Sequence, residues 1–106
     1  MAMLEGTVEL LDLEDGESES FRVLRWEQGE LEIQPRESPA GKVVAAVRVW
    51  VPLEDKSLGA PYWDITAGNL IARLLPMLDQ LVASGRKIRV TKHGRPPTAR
   101  HAVEFL

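Results

Sequence analysis

The stretch Gly59-Ala60-Pro61-Tyr62-Trp63-Asp64-Ile65-Thr66 runs into Ala67-Gly68-Asn69-Leu70-Ile71-Ala72-Arg73-Leu74-Leu75-Pro76-Met77-Leu78-Asp79-Gln80-Leu81-Val82-Ala83-Ser84, and Gly85 comes next. From Ala67 onward, Leu70, Ile71, Leu74, Leu75, Leu78, Leu81 and Val82 recur at intervals of three and four. That spacing predicts a helix that buries one face. Asn69, Arg73, Pro76 and Gln80 fall on the other side. The helix spans about 18 residues, or ~27 Å at 1.5 Å per residue. Thr66 is the expected N-cap, and Asp64 places negative charge near the positive end of the helix dipole. Gly85 suits the left-handed residue that closes a helix. Pro76 lacks an N–H and crowds the carbonyl of Ala72, so a kink is expected there.

Upstream of the helix the pattern changes to alternation. Leu4 to Leu13 reads as a strand, and Glu14-Asp15-Gly16-Glu17 as a turn of the Asp-Gly type. Phe21 to Trp26 is a second strand, Gln28-Gly29 a turn, and Leu31 to Gln34 a short third strand. Pro35, Pro39 and Gly41 enclose a polar connection. Lys42 to Val51, rich in valine, is the most strand-like segment and the expected centre of the sheet. Arg48 and Trp50 share its face opposite Val47, Val49 and Val51. Residues 52–63 form a long loop, of a length that is often functional. After the helix, Lys87 to Lys92 and Ala99 to Leu106 alternate around the turn His93-Gly94-Arg95-Pro96-Pro97.

Together these elements predict an α+β fold in one domain, 1–106. Its antiparallel sheet is a four-strand meander, followed by one long helix on a sheet face and a C-terminal β-hairpin. A strongly curved sheet or a small barrel around the helix is the alternative. The order of four strands then a helix, over residues 1–85, is similar to that of the small single-stranded DNA-binding domains of the Whirly type. The likeness is one of architecture, and no residue is carried over from it.

The chain has 106 residues and no cysteine, which excludes disulfides and thiolate metal sites. No apolar run is long enough to cross a bilayer and no signal-peptide pattern opens the chain, so cytoplasm is the default location. The net charge of −3 is unevenly spread. Residues 1–55 hold thirteen Asp and Glu against five Lys and Arg, or −8; residues 56–106 hold three against eight, or +5. Such a split marks either a partner surface or an attraction between the halves of one fold.

No Gly-rich phosphate loop, nucleophile elbow or zinc-ligand spacing is present, so no catalytic residue, metal or cofactor is expected. His101 reads as a strand residue and Asp55 as a solvated turn residue. Nucleic-acid binding is the sharper expectation. Lys87, Arg89, Lys92, Arg95 and Arg100 crowd the closing hairpin, where they would follow phosphates without reading bases. Trp26, Trp50, Tyr62 and Trp63 would supply stacking platforms for a single strand, with Tyr62 and Trp63 the ones placed in the site. The competing class is a self-associating or protein-binding module, in which the acidic first half of one copy meets the basic hairpin of another, edge strands pair across a two-fold, or Tyr62 and Trp63 anchor a partner. The two separate on geometry. One open face shared by the five cations and an aromatic favours nucleic acid; a face covered by Glu5, Glu9 or Glu32 disfavours it.

Overall fold

Two antiparallel three-stranded sheets and one helix make up the fold. The computed structural model describes residues 2–34, 40–95 and 97–106. The strands are β1 (Ser18–Phe21), β2 (Arg25–Ile33), β3 (Lys42–Trp50), β4 (Tyr62–Ile65), β5 (Ile88–His93) and β6 (Arg100–Phe105). The first sheet has the order β2-β3-β4 and the second β1-β5-β6, both open rather than closed into a barrel. Four strands do precede the helix, but they divide between two sheets instead of forming one meander. The polar connection around Pro35 and Pro39 and the Pro96 position of the turn lie outside the described residues.

The helix runs from Gly68 to Ser84 in three pieces: α1 (Gly68–Leu74), a 3-10 turn (Leu75–Met77) and α2 (Leu78–Ser84). Pro76 sits inside the 3-10 turn. A tighter turn is the local answer to a missing N–H and a ring that crowds the preceding carbonyl. Leu70, Leu74, Leu78 and Leu81 are buried, as the stripe predicts. Val82 is partly exposed, at the edge of the stripe that it shares with the half-buried Ile71 and Leu75. Gly85 closes the helix at φ +65°, its N–H donating to the Leu81 carbonyl at 3.0 Å.

The start of the helix departs from the sequence reading. Ala67 is the N-cap, without a side-chain capping bond, and neither Thr66 nor Asp64 serves as one. Asp64 is buried in β4, directly across from Arg48 of β3. A bidentate partner for a buried carboxylate outweighs the ~1 kcal/mol that a cap contributes.

Gln28-Gly29 is no turn, since β2 runs unbroken from Arg25 to Ile33 and Gly29 lies opposite Ala46. Its missing side chain serves a close approach. A Cβ on Gly29 would come within 2.7 Å of the Ala2 carbonyl and 2.8 Å of Leu4. Nor do Leu4 to Leu13 form a regular strand. Among the described residues, the N-terminal segment from Met3 onward makes two isolated parallel bridges instead, Met3 with Glu30 and Leu10 with Asp64. The segment therefore straps the first sheet from the outer edge of β2 to the outer edge of β4. Leu4 N–H bonds the Glu30 carbonyl at 2.9 Å, and Leu11 N–H bonds the Asp64 carbonyl at 2.9 Å. Leu4, Leu31 and Ala46 form a small apolar cluster under the strap.

The main core gathers Val47, Val49 and Ile65 of the first sheet with Val51 just after β3, Phe21, Ile88 and Val90 of the second sheet, and Leu70, Leu74, Leu78 and Leu81 of the helix. The Asp15-Gly16 turn forms with Gly16 at φ +83°, but it delivers the chain to β1, which pairs with β5. The C-terminal hairpin β5–β6 forms as the sequence predicts.

Candidate nucleic-acid interface

The placement of the cations is set by the strand registers. Direct partners in an antiparallel sheet share a face. Phe21, Ile88 and Val90 point into the core, so Ser18, Ser20, Arg89, Thr91, His93, Arg100, Ala102 and Glu104 form the outer face of the second sheet. Arg89, His93 and Arg100 are exposed there. Lys87 continues the row one step before β5, but its Nζ lies 3.2 Å from Asp55 Oδ1. Glu104 stands directly across from Arg89.

Lys92 has the opposite parity and pairs with His101 on the inner side. With Arg95 it lines a cleft that also holds Asp12, Glu14 and Asp15. Asp15 Oδ1 accepts the Gly94 N–H at 2.8 Å, which ties the acidic turn to the hairpin tip. The five cations thus divide: Lys87, Arg89 and Arg100 share the outer face, while Lys92 and Arg95 face an acidic cleft. Tyr62 and Trp63 lie apart from both groups. Tyr62 is buried, its hydroxyl donating to the Thr7 carbonyl at 2.5 Å and its ring 4.0 Å from the Arg48 guanidinium. Trp63 packs against the main core with the Lys56 ammonium 4.6 Å above its ring. Its Nε1 is buried without a hydrogen-bond partner among the described residues. Neither ring is an open stacking platform.

Glu5 and Glu9, expected as possible covers of the basic face, belong to the strap across the first sheet. The charge split is met inside the fold at other points. Glu9 accepts from Lys56 Nζ at 3.0 Å and from Ala60 N–H at 2.6 Å. The Lys56 bond, then the Ala60 bond, hold the Glu9 carboxyl below its ordinary range. Lys56 itself is buried and also donates to the Leu58 and Ala60 carbonyls, each at 2.7 Å, so it gathers the loop between β3 and β4.

Asp55 is the second junction. Its carboxylate accepts from Arg22 N–H at 2.9 Å and Arg22 Nε at 3.2 Å, besides meeting Lys87. Burial pushes its pKa up, but the Arg22 backbone and guanidinium and the Lys87 ammonium together hold it below the ordinary 3.8. A depressed folded pKa contributes stability that is fully present above the unfolded value of about 4. It is lost as pH falls through the lower folded value. Thermal unfolding from pH 5 downward should therefore show a falling Tm, and Asp55→Asn should remove part of that fall. Parallel curves for the two proteins would show that Asp55 carries none of it.

The pair beneath the strap runs in the opposite sense, with its cation from residues 1–55 and its carboxylate from residues 56–106. Arg48 Nε lies 2.7 Å from Asp64 Oδ1 and Arg48 Nη2 3.1 Å from Oδ2. Arg48 Nη1 also donates to the Glu5 carbonyl, and Asp64 Oδ2 accepts the Glu9 N–H at 2.9 Å. The sequence placed Arg48 on the correct face of its strand. Nothing local marked Asp64 as its partner, because the pairing depends on β4, which lay hidden in a segment read as loop. No known protein family, curated protein or solved structure matches the chain. Among the described residues no helix is long and apolar enough to cross a membrane.

Proposed function

We propose that this chain is a small non-catalytic binding domain that takes single-stranded nucleic acid along the outer face of the β1-β5-β6 sheet. The observation that carries the reading is the exposed pair Arg89 and Arg100 with His93, set among Ser18, Ser20 and Thr91 on a sheet face opposite the core. Between Gln80 and Val103 the sequence has six Lys and Arg and no carboxylate. Guanidinium groups and hydroxyls are donors suited to phosphate oxygens. With Tyr62 and Trp63 turned inward, binding rests on phosphates rather than on base stacking, which implies weak sequence preference and strong salt dependence.

The test is fluorescence anisotropy of a labelled single-stranded oligonucleotide, titrated across a salt series. Arg89→Glu should weaken binding and lower the log–log salt slope by ~0.7, the contribution of one phosphate on a single strand. Arg95→Glu, beside the acidic cleft, should have the smaller effect. Absence of binding to the unaltered protein at low salt would sink the proposal, as would equal losses for the two variants.

A further inference from the structure

The two sheets treat their edges differently. In the first, the N-terminal strap lies on both outer strands, with Ala2 to Leu4 on β2 and Glu9 to Leu11 on β4. In the second, β1 is only four residues long, a common way to blunt an edge. β6 is six residues long and, among the described residues, pairs on one side only. The apolar layer beneath it is unfinished. Ile88 and Val90 of β5 are fully buried, whereas their neighbours on β6 are Phe105, 49% exposed, and Val103, half-buried.

Which backbone groups are free is decided by the ladder. Leu106 N–H bonds the Lys87 carbonyl at 2.9 Å, so the even-numbered residues of β6 bond β5. His101, Val103 and Phe105 direct their N–H and C=O groups outward. Asn69 Nδ2 donates to the Ala99 carbonyl at 2.8 Å, and Asn69 Oδ1 lies 2.7 Å from His101 Nδ1. The open run therefore starts at the His101 backbone.

We infer that β6 pairs antiparallel with β6 of a second copy about a two-fold axis at Ala102, with Arg100 opposite Glu104 of the other chain. Sharing of faces restricts a two-fold strand pair to registers centred on a residue. Centred on Ala102, both Arg100–Glu104 pairs form, and His101 and Val103 of each chain exchange backbone bonds. One row across four strands then holds Arg89 and Glu104 of one copy and Arg100 and His93 of the next, with the Glu104 carboxylate between two guanidinium groups. Centred on Val103, Arg100 would face Leu106 and Glu104 would face Ala102, with neither charge matched. Opposite charges directly across a sheet stabilise the pair, and like charges oppose it. The product is a continuous six-stranded sheet. This inference does not rest on nucleic-acid binding.

Sedimentation velocity without nucleic acid, up to ~1 mM protein, tests it at the weak end of specific association. A concentration-dependent dimer is expected. Arg100→Glu and Glu104→Arg should each weaken it at least ~10-fold, since each puts like charges face to face twice. The double exchange R100E/E104R should restore it. Val103→Pro should abolish the dimer while circular dichroism stays native, because the N–H it removes lies outside the β5 ladder. A monomer at the highest concentration would overturn the inference. So would a dimer indifferent to the charge changes, or one that the double exchange fails to restore.

Discussion

Asp64→Ala is expected to destabilise the protein by about 3–5 kcal/mol, the cost of leaving one partner of a buried ion pair alone. Arg48 and Asp64 are both buried, and Asp64 is fully so. The substitution strands the guanidinium and also removes the acceptor of the Glu9 N–H. Burial works against the Arg48 charge, and Asp64, which raises its pKa in the native protein, is gone from the variant; arginine nonetheless does not deprotonate in proteins, so the charge is stranded rather than lost. Against a total of roughly 5–15 kcal/mol for a domain, the loss is a large fraction. Urea denaturation should show a much lower midpoint at an unchanged slope. The double variant Arg48→Met with Asp64→Leu should recover most of the loss, because matched apolar replacement removes the stranded charge. A single-variant loss below about 1 kcal/mol would mean that water reaches the pair.

This pair shows where sequence reading stopped. The helix was legible because its signals are local: leucines at helical spacing, Pro76 within it and Gly85 beyond it. The closing hairpin was legible because alternation and a Gly-Pro turn lie within twenty residues. The sheet was not, because its organisation is set by contacts distant in sequence. Gly29 looked like a turn residue, yet the strap from Ala2 to Leu4 is what requires it to be glycine. Alternation from Leu4 to Leu13 promised a strand, but this segment crosses the sheet and touches its two edges. The candidate site divided in the same way. Arg89 and Arg100 share a face by strand parity, which the sequence alone allows one to count. That Lys92 and Arg95 look toward Asp12, Glu14 and Asp15 depends on where a turn some eighty residues earlier comes to lie. Tyr62 and Trp63, polar-tipped aromatics in an apparent loop, gave no local sign that the loop ends in a buried strand.

Phe21→Ala should cost about 3–5 kcal/mol, the range for a large buried aromatic. Phe21 is completely buried at the end of β1, paired with Ile88. The chain passes there from one sheet to the other. Val23 is buried two residues on, and Leu24 N–H bonds the Trp50 carbonyl at 2.8 Å, which enters the first sheet. The ring belongs to the core cluster that holds valines of β3, Ile88 and Val90 of β5 and the helix leucines. Truncation thus opens a cavity where both sheets and the helix meet, and three elements cannot all move to close it. Leu58→Ala provides the contrast. Leu58 is 83% exposed, and its truncation should stay within about 0.5 kcal/mol. Equal midpoints for Phe21→Ala and Leu58→Ala would show that the sheets do not share a core at this point. A loss confined to one phase of a two-phase transition would show that the sheets unfold separately, since a common core requires one cooperative transition.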